Sequence, residues 1–211
     1  MGWKETYQSE VKVSSQYMIE FPWDDPKAYS NWLAQTYFFA VQTTPLLMLA
    51  GGRLGDIDYD LHYRFIDHSK EEKGHPQLLI NDLERMDKNI EQFTVDHSTE
   101  SMFQAQFYWI YHRDPRAFFG YILFLEGLAA EIGGEAFKKA ESAHGKAATR
   151  FLVTHSIEDQ DHIQEAFDQV AKFDAETLKF VELNLKHTAW CYNHMLKACS
   201  NMSDSAEPSA A

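Results

Sequence analysis

The spacing His-x3-acid-x2-His occurs twice in this chain, as His68-Ser-Lys-Glu-Glu72-Lys-Gly-His75 and as His155-Ser-Ile-Glu-Asp159-Gln-Asp-His162. On a helix turning about 100° per residue, Asp159 stands roughly 40° from His155, and His162 roughly 20° to the other side, so all three leave one narrow stripe. Ten histidines and 32 acidic residues in 211 positions would produce this pattern about 0.07 times from composition alone. Apolar residues adjoin both copies: Phe65, Leu78 and Leu79 at the first, Phe151, Leu152 and Val153 at the second. Imidazoles and carboxylates set in a face that is to be buried must find polar or ionic partners there. Two helices that turn such stripes toward each other are how an all-α bundle encloses an iron or manganese site.

The remaining pattern suits a single all-α domain over residues 1–199. Residues 1–23 read as an arm or short helix. Asp24-Asp25-Pro26 is a helix start. A helix follows over about 26–50, apolar or aromatic on most sides and therefore central; Gly51-Gly52 is expected to end it. It contains no carboxylate. One unbroken helix is expected over about 59–88, with Gly74 inside it at about 1 kcal/mol against alanine, a cost that a close helix contact or an approaching ligand would explain. Further helices are expected over about 99–112, from about 115 to Gly133-Gly134 and, as a short piece, over 135–143. A long one over about 147–173 carries the second His/acid copy, and an amphipathic one over 175–199 is the last. Residues 200–211, rich in Ser, Ala and Pro, read as a disordered tail.

Glu126 stands alone in the apolar run Tyr121-Ile-Leu-Phe-Leu125. A buried, unpaired carboxylate there would be costly, and a cation would supply the missing charge. In the first His/acid copy two acids compete: from His75, Glu71 lies about 40° round the helix and Glu72 about 60° the other way. Spacing alone favours neither. Glu72 completes the four-and-three pattern and the Glu-x-x-His spacing of helical metal sites, so it is preferred. The candidate metal ligands are Glu72, His75, Glu126, His155, Asp159 and His162, with His68, Glu71 and Gln35 as a second tier. Three carboxylates and three imidazoles suit iron or manganese better than zinc.

A formal net charge of −13 argues against nucleic acid and anionic membranes as partners, since both need a basic footprint. Cys191 and Cys199 form neither a disulfide framework nor a zinc pattern and fit a reducing cytoplasm. The N-terminus has no signal-peptide core, and the apolar stretches read as short of a membrane span. No nicotinamide or flavin motif is present, so electrons would come from the substrate or a separate reductant. Tyr37, Phe38, Phe65, Tyr108 and Phe119 are candidate pocket aromatics, with a plain core role as the commoner alternative for most. Arg64, Arg116 and Arg150 are candidate carboxylate holders with a surface role as the alternative.

Glu-Glu-Lys-Gly-His75 with Leu78-Leu79-Ile-Asn-Asp82-Leu83, then Glu126, then Phe151-Leu-Val-Thr-His155-x3-Asp159-x2-His162, resembles the haem-oxygenase-like di-iron oxidases and oxygenases over about residues 30–195. The resemblance implies about seven helices around an internal active site, Fe(II) as cofactor in two sites with manganese as the alternative metal, and O2 plus a small molecule, an amino acid or fatty acid, as substrates. A homodimer is expected. Family members commonly take a further Glu from the first core helix, where this chain has none; Gln35, Gln42 and His68 are the nearest polar candidates, and a single iron stays open beside two. Metal-free relatives, the pyrroloquinoline quinone synthases and thiaminase-type TenA proteins, mark a second class of function. The thiaminase chemistry needs a mid-chain nucleophilic Cys that this chain lacks. A non-catalytic helical binding or regulatory protein is the third.

Overall fold

A computed structural model describes the backbone of residues 2–204 and their side chains, apart from 156–162 and 201–204. Among the described residues there are eight α-helices and no strand: α1 (Trp3–Glu20), α2 (Pro26–Leu54), α3 (Tyr59–Glu71), α4 (His75–Arg85), α5 (His97–His112), α6 (Phe119–His144), α7 (Arg150–Val170) and α8 (Ala175–Asp204). Aspartates start several of them by accepting orphan amide N–H bonds. Asp25 takes those of Lys27 at 2.7 Å and Ala28 at 3.2 Å, Asp58 that of Leu61 at 3.0 Å and Asp96 that of Ser98 at 2.8 Å.

α2 lies at the centre, packed by α3, α4, α5 and α8, while α6 lies along α7, α8 and α1. Close crossings depend on small residues. At Gly120 a Cβ would stand 2.6 Å from the Leu185 backbone nitrogen, so α6 and α8 meet backbone to backbone. A buried amide pair locks α5 to α8: Asn184 Nδ2 donates to Gln106 Oε1 at 2.7 Å and Gln106 Nε2 donates to Asn184 Oδ1 at 3.1 Å.

Several boundaries differ from the sequence expectation. Residues 3–20 are a full helix. α2 passes through Gly51-Gly52 to Leu54; Gly51 serves there as a contact point, since a Cβ would lie 3.2 Å from Phe65 Cβ on α3. The helix expected over 59–88 is broken in two at Gly74. α6 runs unbroken through Gly133-Gly134 into the segment expected to be a separate helix. α8 continues to Asp204, into the expected tail, whose residues 205–211 lie outside the described ones. The segment Pro115–His144 is long and apolar enough by composition to cross a membrane, contrary to the reading of short apolar stretches, but 72% of its most apolar window is buried inside the bundle.

Candidate metal centre

The break between α3 and α4 builds half of the site. α3 ends at Glu71, Glu72 caps it, and Gly74 takes φ +102°, a left-handed conformation that L side chains rarely adopt. His75 then opens α4, followed by Pro76, whose missing N–H is harmless in a first turn. The turn sets His75 Nδ1 3.0 Å from Glu72 Oε2. One turn back along α3, buried His68 places Nε2 3.5 Å from Glu72 Oε1 and 3.2 Å from Glu126 Oε1 on α6. From α7, the His155 ring packs edge-on to His75, centroids 4.7 Å apart, and tilts against Phe151 at 4.3 Å.

α7 is held in register by α4. Thr149 gives its N-terminus no side-chain cap; instead buried Asp82 accepts the amide N–H bonds of Arg150 at 3.1 Å and Phe151 at 2.9 Å. Asp82 is seven residues beyond His75 on α4, so one short helix positions a candidate ligand of its own and the helix that carries another. Burial pushes the Asp82 carboxyl up to about 6, against the lowering effect of the two amides.

Glu72, His75 and His155 each offer one ligand atom, and these three atoms lie within 4.8 Å of one another. They open on a cavity of about 110 Å³ whose wall also includes His68, Glu126, Trp32, Phe39, Tyr121 and Tyr192. Burial raises the Glu72 carboxyl, but the bonds with His68 and His75 and the nearby imidazole charges outweigh it and hold Glu72 well below the usual range. Burial likewise opposes charge on His68, yet the bonds with Glu126 and Glu72 push it up to about 10. Burial also pushes the Tyr121 hydroxyl well above its ordinary value.

Of the residues singled out from sequence, Glu72, His75, Glu126, His155 and second-tier His68 share this cavity. The side chains of Asp159 and His162 lie outside the described residues. Glu71 is exposed, since the chain leaves the helix just after it, and this leaves Glu72 as the acid of the pair that faces inward. Gln35 does not line the cavity. Its amide clamps the loop before α5, donating to Thr94 O and accepting from Asp96 N, both at 2.9 Å. The pocket aromatics also differ: Phe65 and Phe119 fill the core and Tyr108 is exposed, while Trp32, Phe39, Phe151, Tyr121 and Tyr192 face the cavity. Their register on α2, α6, α7 and α8 depends on packing partners that one helix's periodicity does not reveal. Among the described residues no Lys or Arg lines the cavity; Arg64 pairs with Glu165 and Arg116 with Asp114.

A family model described as iron-containing redox enzyme matches residues 30–196. No curated protein matches the sequence. Among solved structures, a domain of unknown function with a heme oxygenase-like fold from Shewanella denitrificans superposes with a TM-score of 0.82 at 15% identity, covering 94% of this chain and 92% of that one. A TenA homologue from Pseudomonas syringae gives 0.76 at 12% identity, covering 93% and 92%. A CADD-like protein of unknown function from Nostoc punctiforme gives 0.70 at 13%, covering 96% and 99%. At these identities the likeness speaks for the fold, heme oxygenase-like and all-α.

Proposed function

The chain belongs to the iron-containing redox enzyme family, and from that premise we propose that it is a non-haem iron oxidase or oxygenase using O2 on a small molecule. The observation that carries this reading is the convergence of Glu72, His75 and His155 within 4.8 Å at the wall of a mostly apolar cavity. Two imidazoles and one carboxylate are the donor set that suits ferrous iron and leaves further positions open. No thiol lines the cavity among the described residues, and Cys191 and Cys199 are buried in α8. The donors present therefore fit the metal that the family implies. Iron bound there supplies the one-electron and O2 chemistry that side chains lack.

The chain's own part is to hold and shield. Glu72, His75 and His155 would hold the first ion. Glu126, Asp159 and His162 are proposed for a second, which makes the di-iron form the leading one. Asp82 fixes α7 and through it His155. The aromatic side chains give the cavity a mostly apolar wall around about 110 Å³ for the reacting part of a substrate. A wall without Lys or Arg among the described residues favours a fatty acid over a polar amino acid, since a second charged group would be desolvated without a partner.

The test is anaerobic Fe(II) titration of the purified protein, followed by O2-uptake measurements with fatty acids and amino acids. We expect saturable iron binding, loss of that binding in His155→Ala, and O2 uptake that depends on iron and on a fatty acid. A reconstituted protein that binds no iron, with His155→Ala indistinguishable from the parent, would sink the proposal. In that case a metal-free oxidase or a non-catalytic binding protein is the reading left, and a ligand screen of the same cavity separates those two.

A further inference from the structure

We propose that the end of the cavity away from the candidate metal ligands is a hydrogen-bonding subsite for an uncharged oxygen on the substrate, built from Thr36, Tyr192 and Trp32. The inference deepens the reading above. It rests on an acid group lying at the metal-ligand end, and it adds a hydroxyl group at the other end of the same molecule. The two ends of the cavity come from different helices. Glu72, His75 and His155 belong to the α3–α4 turn, α4 and α7. Met18 on α1 and Tyr192 on α8 line the same cavity, and those two helices pack on α6, α2, α5 and each other rather than on α3, α4 or α7. Trp32 reaches that side by its bond to Tyr192, and Thr36 stands one turn on from Trp32, on the same face of α2.

The hydrogen-bonding capacity of this end is poorly used within the protein. Trp32 Nε1 donates to the Tyr192 hydroxyl at 3.3 Å, longer than is usual for such a bond. The Tyr192 hydroxyl donates in turn to Met18 Sδ at 3.6 Å, and a thioether is a weak acceptor. Thr36 is 1% exposed, and its hydroxyl has no hydrogen-bond partner among the described residues. Thr188 on α8 shows the alternative open to a buried helical threonine: its hydroxyl donates to Asn184 O, four residues back, at 2.9 Å. Thr36 instead lines the cavity with its hydroxyl unspent, an arrangement that is unfavourable until a partner arrives. A hydroxyl group on the substrate can accept from Tyr192 and donate to Thr36 Oγ1, and so satisfies both. The group is uncharged because no Lys or Arg lines the cavity among the described residues, and a second charge there would be desolvated without a partner. The substrate class is therefore a fatty acid oxygenated at the end remote from its carboxylate.

The test uses pairs of probes, straight-chain fatty acids and the ω-hydroxy acids of equal length, over a range of lengths. Full-length parent, Thr36→Val and Tyr192→Phe proteins are loaded anaerobically with Mn(II), analysed for bound metal and titrated with each pair by calorimetry. We expect the parent to bind the hydroxy acid about tenfold more tightly than the plain acid at the length that spans the cavity, as one or two added hydrogen bonds would give. Thr36→Val keeps the shape and removes the hydroxyl. It should bring the ratio to about twofold or less while leaving plain-acid affinity nearly unchanged, and Tyr192→Phe should lower the ratio in the same way. Equal affinity for both acids at every length in the parent would overturn the subsite. So would a tenfold ratio that survives in Thr36→Val, the result expected of a threonine that only fills core. If Tyr192→Phe loses its helical circular dichroism, Thr36→Val alone decides. A parent that takes up metal but binds neither acid overturns the subsite and leaves the metal reading standing. A parent that takes up no metal overturns that reading, and the ratio measured on the metal-free protein then decides the subsite.

Discussion

Glu72 and His75 meet because one residue between them can adopt φ +102°. At Gly74 no atom lies within 4 Å of where a Cβ would stand, so Gly74→Ala meets no steric clash and its whole cost is backbone strain, about 1–2 kcal/mol. Urea unfolding of the metal-free variant should show a loss of that size. Fe(II) affinity should also fall, because the Glu72–His75 contact is built on this turn; an unchanged titration with an unchanged unfolding midpoint would refute the link. Removing a ligand outright should cost more. His155→Ala should weaken iron binding at least 100-fold, since loss of a supporting residue alone typically costs 10–100-fold. That Glu72, His75, His155 and Glu126 would share one interior site was legible from their spacing and from a lone Glu in an apolar run, and all four line the cavity. The turn was not, because a helical wheel assumes the helix continues. Its signal was still in the sequence, in Gly74-His75-Pro76, where a glycine followed two positions later by proline punctuates a stop and a restart. Gln35 misled for the opposite reason: its partners, Thr94 and Asp96, come from a loop about sixty residues away, and nothing local announces them.

At the scale of elements, α4 carries more than its eleven residues suggest. It offers His75 at one end and, two turns on, the Asp82 carboxylate that caps α7. Burial raises that carboxyl from 3.8 to about 6, so folding takes up a proton between those values. The stability it contributes is full below pH 3.8 and is lost as pH rises through about 6, on the order of 2–3 kcal/mol across the window. Asp82→Asn has no such titration. The parent should therefore be more stable than the variant near pH 4, and the gap should narrow toward pH 7, read from urea midpoints at each pH. A gap that stays constant would show that Asp82 does not titrate in this range. Helices as units were readable from their patterns, and Asp25 caps α2 where the sequence rule put a helix start; the caps Asp58 and Asp96 were not singled out. The cap of α7 was not, because it is supplied from another helix. Glycines at 51 and 133–134 read as stops, yet α2 and α6 run through them, because tertiary contacts outweigh a propensity cost of about 1 kcal/mol.

For the whole molecule, the centre joins α3, α4, α6 and α7 at a cavity that the apolar core surrounds on its other sides. An all-α bundle was foreseeable because polar stripes on two helices must face inward together; which aromatics would wall the cavity was not, since that depends on how eight helices cross. On the proposed reading, metal loading would be a property of the entire fold. An ion held by Glu72, His75 and His155 would tie residues from the α3–α4 turn to α7, across a sequence distance that the unfolded chain cannot hold together. It would bind the native state and leave the unfolded state largely unaffected. Native stability should then rise by RT ln(1 + [metal]/Kd), about 2.7 kcal/mol at a hundredfold excess over Kd. For a domain of this size that corresponds to a melting shift of roughly 5–10 °C. Differential scanning calorimetry under nitrogen, with Mn(II) titrated to avoid oxidation, should show a midpoint that climbs with the logarithm of metal concentration. The slope should vanish in Glu72→Ala, which removes the carboxylate placed beside His75 and His155, while Glu71→Ala, on the exposed side of the same turn, should keep the parent's slope. A metal-dependent rise that survives in Glu72→Ala would place the binding ion elsewhere on this acidic surface and remove the physical basis for an internal centre.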